Sequence, residues 1–360
     1  MWRVALILVV GCGRHLNPEW CAVAGHSDPG CTAVPAVIDA RSGGCAVDDD
    51  CPGSVCLPTG GCADPNAVLH VAPDGAGTAC TSELPCQLAT AIGGALPDRH
   101  IIALAPATYR GMVAIDHSVQ LVGRNATLQA ATGDAVTVTS SAVAELDFVA
   151  ITGAVAASGL TCAAGTTVTA RAVRIFGNQQ GITSAGTLSV ERSTLSSNTD
   201  GAVVVTAGAI DLHDNFILNN GSDTARVASV SIAAGVTGAL AFNTVAYNNA
   251  RQTADPGVDC NAAAVTGTGN LVTDNTHKGS FGVSPQVVGA CDFTRSYTAP
   301  GTGGNDLRWV DVTAGAPGFH LTSASTAVLD QLACAAGEDF DGDPRPSGAA
   351  CDFGADELKR

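Results

Sequence analysis

The chain has 360 residues, of which 42 are glycine and 4% are aromatic, and its 33 acidic against 17 basic residues give a formal net charge of −16. Phosphate binding needs a basic face that this charge balance does not supply, so nucleic acid is excluded as a partner. The length suits one extended domain with small appendages, and no second large core is predicted. Lysine is scarce, since Lys278 and Lys359 are the only two.

The first eleven residues form an apolar leader. Arg3 precedes the run Val4–Val10, which is too short to span a bilayer and is typical of a secretion signal. The tetrad that ends in Cys12, Val-Val-Gly-Cys, resembles the bacterial lipobox, whose cysteine becomes the lipidated first residue of the mature protein. This resemblance implies a signal peptide over residues 1–11, a lipid at Cys12 and a position at the bacterial outer membrane or cell surface. A chance cysteine after a misassigned start is the alternative.

Residues 12–66 are rich in cysteine, proline, glycine and aspartate and show no hydrophobic periodicity. Such a segment is expected to be held together by disulfides rather than by a core, and we interpret it as a cross-linked stalk in an oxidising compartment. The cysteines of this stalk are Cys21, Cys31, Cys45, Cys51, Cys56 and Cys62. Their pairing cannot be assigned from sequence. A zinc site is the alternative, but no tight CxxC pair is present and secretion disfavours it.

Between about Ile101 and Val288 the chain repeats short Val/Ala/Ile/Leu/Thr runs closed by Asn, Gly or Asp, about every twenty to thirty residues. Apolar and polar positions alternate within runs such as Gly186–Glu191, which indicates strands with one buried face. Asn and Gly at the turns tolerate left-handed backbone, and Asn at equivalent turns can hydrogen-bond from coil to coil. We predict a solenoid of parallel strands over residues 67–290; ordinary turns in a β-sandwich are the alternative.

The stretch from Cys80 to Val288 resembles the right-handed parallel β-helix of the pectin-lyase-like superfamily. The segments that carry this resemblance are Gly77–Ile92 and Ile101–Tyr109, in which Ala107 replaces the usual glycine of the turn. The resemblance implies an all-β solenoid whose open end is covered by a short N-terminal helix. Four apolar residues at helical spacing support that helix, and they are Leu88, Ala91, Ile92 and Leu96.

The last segment, residues 291–360, combines further coils with a second resemblance. Phe319–Ser325, Asp339–Pro346 and Cys351–Glu357 are similar in order to the tail of the choice-of-anchor Q family of bacterial surface proteins, although Ser-Thr-Ala stands where that family usually has Ser-Pro-Ala. Members of that family have β-helix bodies and mostly lack an assigned activity. The resemblance therefore implies a surface location and a fold more than a reaction.

Seven cysteines lie beyond the stalk, and six of them are expected to form disulfides. The predicted pairs are Cys80 with Cys86 at the cap, Cys260 with Cys291, and Cys334 with Cys351 around the acidic tail. Cys162 is left over from this scheme. Buried inside a coil, its thiol would be an inert small hydrophobic group.

Asp339, Asp341 and Asp343 alternate with Phe and Gly near the C-terminus. If this segment curls into a loop, the three carboxylates would offer hard oxygen ligands to Ca²⁺, the one metal that the sequence suggests. The twelfth residue counted from Asp339 is Ala350 rather than Glu, so an EF-hand loop is excluded. The alternative is structural, with these side chains capping turns and pairing with Arg345.

A catalytic role would need more than the fold. Lyases of the superfamily combine a Ca²⁺ carboxylate cluster with a Lys or Arg that abstracts the proton next to a uronate carboxyl group. The resemblance makes Lys278 the candidate base, because it is the only lysine of the coil region; a loop lysine in solvent is the alternative. A hydrolase would need several aspartates on neighbouring coils, and Asp211–Asp214 stands alone. Standard cofactor chemistry is not supported, since no G-x-S-x-G elbow or phosphate-binding glycine loop is present.

Two functions therefore remain. The first is a non-enzymatic, lipid-anchored surface protein whose long face contacts a polysaccharide or a neighbouring component of the envelope. The second is a polyuronate lyase that acts by β-elimination. An acidic groove with a paired carboxylate and base would favour the lyase, whereas a flat face of Asn, Ser and Thr would favour the binding protein.

Overall fold

The computed structural model describes residues 44–227, 229–251, 257–277, 285–299, 307, 309 and 316–359. Its body is a parallel β-helix whose coils contribute strands to three sheets in turn. The first sheet consists of β1 (Val68–Val71), β2 (Ile101–Leu104), β5 (Val119–Val122), β8 (Val143–Asp147), β11 (Thr167–Arg171), β14 (Thr187–Glu191), β17 (Ala209–His213), β20 (Thr237–Ala241), β24 (Ala264–Thr273) and β27 (Asp292–Tyr297).

The second sheet is joined to the first through the long strand β24. It consists of β3 (Thr108–Arg110), β6 (Thr127–Gln129), β9 (Ala150–Thr152), β12 (Arg174–Phe176), β15 (Thr194–Ser196), β18 (Phe216–Leu218), β21 (Thr244–Ala246) and the end of β24. The third sheet consists of β4 (Val113–Ile115), β7 (Val136–Val138), β10 (Ser158–Cys162), β13 (Gln180–Ser184), β16 (Val203–Val205), β19 (Val230–Ile232), β23 (Val258–Cys260) and β26 (Val287–Gly289). Two small pairs complete the strands, β22 (Asn249–Ala250) with β25 (Thr276–His277) and β28 (Gly337–Glu338) with β29 (Pro344–Arg345).

Each coil adds one apolar layer to columns that run along the solenoid. In β14 the side chains alternate, so that Leu188 and Val190 are buried while Ser189 lies nearer the surface. Leu188 is in register with Val168 of the preceding coil and with Ile210 of the following one. Aliphatic side chains therefore stack directly on one another and fill the interior at core density. The predicted parallel β-helix is confirmed.

The predicted capping helix is present as α1 (Leu88–Gly93). It packs against β1, β2 and β4, with Leu88 and Ile92 buried over the apolar end of the first coil. The helix ends at Gly93, so Leu96, which the apolar spacing placed on the same face, lies beyond it and is 60% exposed. Two consecutive glycines end the helix because each disfavours helical backbone. Short 3₁₀ helices cover Asp48–Asp50, Pro65–Ala67 and Ala316–Phe319.

Buried amide side chains form two columns along the turns of the solenoid. In the column between the second and third sheets, Asn198 Oδ1 lies 3.1 Å from Asn178 Nδ2, and Asn220 Oδ1 lies 2.9 Å from Asn198 Nδ2. The prediction that turn asparagines bond from coil to coil is confirmed, and these bonds satisfy backbone groups that no water reaches. The first column consists of Asn178, Asn198, Asn220, Asn248, Asn275 and Gln286. The second column, between the first and second sheets, has a serine at each end and consists of Ser193, Asn215, Asn243, Asn270 and Ser296.

In several of these turns the left-handed residue is not the column asparagine but the residue before it. Asp214 has a φ of 54° and Phe242 a φ of 52°, directly ahead of Asn215 and Asn243. We predicted left-handed backbone at the Asn and Gly of each turn, because these residues tolerate it best. The amide side chain is instead required inside the turn for hydrogen bonding, and its neighbour adopts the less favourable conformation.

Residues 44–66, the disulfide lobe, pack against the outer face of the first sheet. The lobe contains the disulfides Cys45–Cys56 and Cys51–Cys62. Val55 and Ala63 of the lobe form a small apolar cluster with residues of the first sheet, and those residues are Val68, Ile101, Ala103 and Val122. Arg124 of the solenoid donates a hydrogen bond to Asp48 of the lobe at 2.9 Å. This part of the predicted stalk is therefore attached to the solenoid by packing as well as cross-linked; Cys12, Cys21 and Cys31 lie outside the described residues.

Residues 316–359, the C-terminal strap, fold back over the outer face of the second sheet. Phe216 and Leu218 of β18 would be exposed on a bare solenoid, but the strap buries them with Phe319, Leu321 and Val328. Backbone and side-chain hydrogen bonds fix the strap in place, from Gly354 N to Gly269 O at 2.8 Å and from Ala355 N to Thr244 Oγ1 at 2.9 Å. The strap thus completes a second apolar core outside the solenoid.

Three further disulfides join Cys80 to Cys86, Cys260 to Cys291 and Cys334 to Cys351. These are the pairs that we predicted. Cys162 is a free, buried cysteine, and burial raises the pKa of its thiol to about 12, which keeps it protonated and unreactive. None of the described helices is long and apolar enough to cross a membrane.

Candidate functional site

The outer side of the third sheet carries a row of small, mostly polar side chains, one from each of six consecutive strands, β7 to β23. We call this row the polar face, and its residues are Thr137, Thr161, Thr183, Val204, Ser231 and Asp259. All six are in register and half-buried. Because neighbouring strands lie about 4.8 Å apart, the row presents hydrogen-bonding groups at a regular repeat along a flat surface.

One end of the polar face is organised by a carboxylate. Asp134 accepts a hydrogen bond from Ser158 N at 2.9 Å and another from Thr161 Oγ1 at 2.8 Å. In the next coil, Thr183 Oγ1 donates to Gln180 Oε1 at 2.9 Å and lies 2.8 Å from Ser158 Oγ. These bonds use the hydroxyl protons of Thr161 and Thr183 and hold the two groups in fixed orientations, so each oxygen keeps acceptor capacity for a ligand.

A polar cavity of about 240 Å³ opens at the edge of the polar face, at three successive turns from the second to the third sheet. It is lined by Gln179, Thr199, Asp200, Ser222, Thr224, Ala225 and Arg226. Asp200 accepts a hydrogen bond from Arg226 N at 2.5 Å, and its other oxygen lies 3.9 Å from Arg226 Nε. Ser222 Oγ donates to Thr199 O at 3.0 Å. The cavity therefore offers amide, hydroxyl, carboxylate and guanidinium groups to one polar ligand.

A row of charges crosses the outer side of the first sheet. Arg171 lies 2.8 Å from Glu145, 3.2 Å from Asp147 and 3.9 Å from Glu191. Burial by itself would lower the pKa of Arg171, but hydrogen bonding to Glu145 and the charge of Asp147 hold that pKa above its ordinary value. A guanidinium held in this way stays protonated and cannot act as a base. This row is a set of ion pairs rather than the paired carboxylate and base of a lyase.

Two further groups in this row, Asp147 and His213, have raised pKa values. Burial raises the pKa of Asp147 to about 6, although hydrogen bonding from Gln120 and the charge of Arg171 oppose the shift. His213 has a raised pKa because its ring hydrogen-bonds Asp214, with the nearby charge of Glu191 adding to the effect. His213 is in register with Glu191 on the next coil, so its protonated form places a positive charge beside that carboxylate.

The three aspartates that we considered for Ca²⁺ have three different sets of partners. Asp339 is fully buried and caps a turn, with Oδ1 accepting from Asp341 N at 3.0 Å and Asp343 N at 2.8 Å and Oδ2 accepting from Glu357 N at 2.9 Å. Asp343 pairs with Lys359 at 2.7 Å. The carboxylates diverge because the short turn is closed by the Asp339 side chain itself.

Asp341 is instead directed toward His320. The two side chains meet at 2.5 Å, and Asp356 lies 3.8 Å from the same His320 nitrogen. Burial is the main reason that the pKa of Asp356 is raised to about 6 and that of Asp339 to about 7, and the charge of Asp341 contributes to both shifts. We did not foresee this cluster, because its histidine and its two carboxylates come from separate parts of the strap.

Arg345 pairs with carboxylates other than the ones that we expected. Its guanidinium lies 3.4 Å from Asp214 of the solenoid and 3.7 Å from Glu357 of the strap. It also stacks on the Phe242 ring, with 4.3 Å between the guanidinium carbon and the ring centroid. Arg345 thus joins the strap to the solenoid rather than neutralising the turn that Asp339 caps.

Lys278, the candidate base, and Cys12, the candidate lipid attachment site, lie outside the described residues. The polar face and the cavity were not predicted as individual residues. The signal for the face is a Thr or Ser at the equivalent outward position of four third-sheet strands, β7, β10, β13 and β19, which becomes visible only when the coils are placed in register.

No family model matches the chain, and no curated protein matches it. Among solved structures, the chain is similar to a crystal structure of pectate lyase Pel9A, with a TM-score of 0.50 and 13% sequence identity. The similarity covers 81% of this chain and 96% of that chain. At this identity it shows the fold alone, and that fold agrees with the predicted right-handed parallel β-helix.

Proposed function

We propose that this protein is an exported, non-enzymatic β-helix that binds polysaccharide along the polar face. The observation that carries the proposal is the row of hydroxyl groups from Thr137, Thr161 and Thr183 on three consecutive coils, which Ser231 continues in the same register beyond Val204. Hydroxyl groups donate and accept hydrogen bonds, as sugar hydroxyls do, so an extended chain of sugars and a repeating row of strands can satisfy one another. The cavity at the edge of the face would bind a chain end or a side branch.

The charges beside the polar face support binding rather than catalysis. Asp200 is the carboxylate of the cavity, and the cation beside it is Arg226, an ion-paired guanidinium that does not accept a proton at neutral pH. Asp134 is held by two hydrogen bonds from Ser158 and Thr161. Among the residues that the structure describes, the polar face thus lacks a carboxylate paired with a base.

Removing hydroxyl groups from the polar face is expected to weaken polysaccharide binding. The triple variant Thr137→Val, Thr161→Val and Thr183→Val keeps β-branched side chains and loses three hydrogen-bonding groups, so we expect the dissociation constant to rise by at least about tenfold. Isothermal titration against soluble bacterial and plant polysaccharides measures this change.

The matched control carries the same substitutions on the exposed side of the first sheet, at Thr167, Thr187 and Thr237. This control should bind as the wild type does. Equal affinity in the two triple variants, or equal loss in both, would place the binding surface elsewhere.

We further propose that the protein is anchored to a bacterial envelope membrane by a lipid on Cys12. The apolar leader before Cys12 and the five disulfides among the described residues support export to an oxidising compartment. We expect labelled palmitate to be incorporated into the wild-type protein and not into Cys12→Ala in a bacterial host. Equal incorporation into both proteins would remove the anchor from the account.

A polyuronate lyase is the second candidate, and the observation that favours it is the similarity of fold to a solved pectate lyase. In that case Lys278 is the base, and a carboxylate cluster holds Ca²⁺ beside the substrate. This candidate predicts unsaturated products from uronate-containing polysaccharides. The first proposal, non-enzymatic binding along the polar face, predicts bound polysaccharide without such products.

A further inference from the structure

A histidine and two aspartates converge inside the C-terminal strap. His320 Nε2, Asp341 and Asp356 present ligand atoms that all lie within 4.8 Å of one another. They come from three separate turns of the strap, and the fold of the strap brings them together. The cluster lies outside the polar face, and polysaccharide binding makes no use of it.

We propose that His320, Asp341 and Asp356 form a site for a divalent transition metal of the zinc class. The two distances from His320 Nε2, 2.5 Å to Asp341 and 3.8 Å to Asp356, bracket the separation of about 3.3 Å between neighbouring ligand atoms in a tetrahedral zinc site. Small side-chain shifts would make both separations equal. The metal would replace the hydrogen bond that His320 shares with Asp341.

Asp356 supplies an independent indication of a ligand. One of its oxygens, Oδ2, accepts a hydrogen bond from Leu321 N at 2.6 Å. Its other oxygen, Oδ1, lies 3.8 Å from His320 Nε2, and the Asp356 side chain is 9% exposed. A cation between Asp356 and His320 would bind Oδ1 and the imidazole nitrogen in place of this long ion pair.

The surroundings support a cation at this point. Asp339 is fully buried near the cluster, so three carboxylates share one small region of the strap. Arg345, whose charge also acts on Asp356, contacts Asp214 and Glu357. Buried carboxylates are generally paired or bound to metal, and a divalent ion would balance the charge that His320 alone cannot.

The donor set selects the class of metal. Ca²⁺ and Mg²⁺ prefer oxygen ligands, whereas an imidazole with two carboxylates suits Zn²⁺ and related transition metals. The side chains of His320, Asp341 and Asp356 are 22%, 17% and 9% exposed, so one side of the cluster faces solvent and a water can complete the coordination. The site thus has three protein ligands and one open position.

Zinc titration of the chelator-treated, full mature protein tests this site. We expect saturable binding of one Zn²⁺ per chain, measured calorimetrically, and a rise in the thermal unfolding midpoint that depends on zinc concentration. His320→Ala and Asp341→Asn should each weaken binding at least tenfold and abolish the zinc-dependent rise. The control His117→Ala removes a half-buried histidine that pairs with Asp116 and contacts Ile92 O of the capping helix, and it should leave zinc affinity and the zinc-dependent rise unchanged.

Three results would overturn the site. They are the lack of saturable zinc binding in the wild type, binding that survives in both His320→Ala and Asp341→Asn, and preferential binding of Ca²⁺ that does not depend on His320. Asp341→Asn preserves the shape of the side chain, and circular dichroism of each variant separates lost metal binding from lost folding.

Discussion

Asn220→Ala is expected to lower the free energy of unfolding by about 3 kcal/mol, since each buried polar group left without a partner costs roughly 1–3 kcal/mol. Asn220 is buried at the middle of its column. Its Nδ2 donates to Leu195 O at 2.9 Å and Asn248 Oδ1 at 3.0 Å, and its Oδ1 accepts from both nitrogens of Asn198. Alanine would leave the Asn198 donors and the Leu195 carbonyl unsatisfied in the interior.

Urea unfolding measures this loss, with Asn261→Ala as the matched control. Asn261 lies in the same solenoid but is exposed, and its side chain makes one hydrogen bond, to Asp259 at 3.0 Å. We expect the control to change stability by less than about 0.5 kcal/mol. An unfolding midpoint for Asn220→Ala equal to that of Asn261→Ala would show that the columns do not hold the coils together.

Arg345→Ala is expected to release the C-terminal strap from the solenoid. Arg345 is 3% exposed, and it donates to Asp352 O, Gly354 O and Ala355 O at 3.1–3.2 Å. Its removal would leave Glu357 buried without this cation and Asp214 with His213 as its remaining ion-pair partner, and breaking a buried ion pair costs about 3–5 kcal/mol. Lysine would not restore the contacts, because they use the planar fork of the guanidinium.

Hydrogen exchange followed by mass spectrometry locates the effect of Arg345→Ala. Amides of residues 316–359 should lose protection while those of the third sheet keep it, since local opening of the strap need not unfold the solenoid. Lys359→Ala serves as the control, because Lys359 is an exposed cation of the same strap that pairs with Asp343. A strap that stays protected in Arg345→Ala would contradict the role of this side chain as the link to the solenoid.

Release of the strap has a second consequence that the same variant can reveal. Phe216, Leu218 and Leu271 would become exposed on the second sheet, which creates a continuous apolar surface. Arg345→Ala should therefore bind a hydrophobic dye more strongly and aggregate at lower concentration than the wild type does. The strap protects the solenoid in the way that an edge covering protects a sheet.

The coils were predictable because their signal is local and repeated. Alternation in runs such as Thr187–Glu191 fixes which side chains face inward, and every additional coil repeats the evidence. The turn asparagines were predictable for the same reason, as Asn198 and Asn220 close equivalent runs. The backbone conformation of these asparagines was not predictable. Which residue of a turn adopts left-handed backbone depends on which side chain the turn must bury.

The strap could not be placed from sequence. Its contacts join residues far apart in the chain, such as Ala355 with Thr244 and Arg192 with Glu338. Nothing periodic in residues 316–359 identifies their partners, so Arg345 was paired with nearby aspartates rather than with Asp214. The cavity was missed for a related reason, because turns of different length build it together and their lengths carry no register signal.

The ion pairs of Arg171 illustrate why the sequence alone could not identify a catalytic site. Acidic and basic residue types of the kind that a lyase uses do occur on neighbouring coils, at Glu145, Arg171 and Glu191. Their distances show that these groups neutralise one another. Residue type and fold together therefore did not determine whether the charges form a reactive site or a set of ion pairs.

Binding without cleavage is the central claim, and one assay tests it directly. The mature protein is incubated with polygalacturonate and other uronate-containing polysaccharides in the presence of Ca²⁺, and unsaturated product is followed by ultraviolet absorbance. Lys278→Ala is assayed in parallel. We expect bound polysaccharide and no product from either protein. Product formed by the wild type and lost in Lys278→Ala would contradict this account and identify the protein as a lyase.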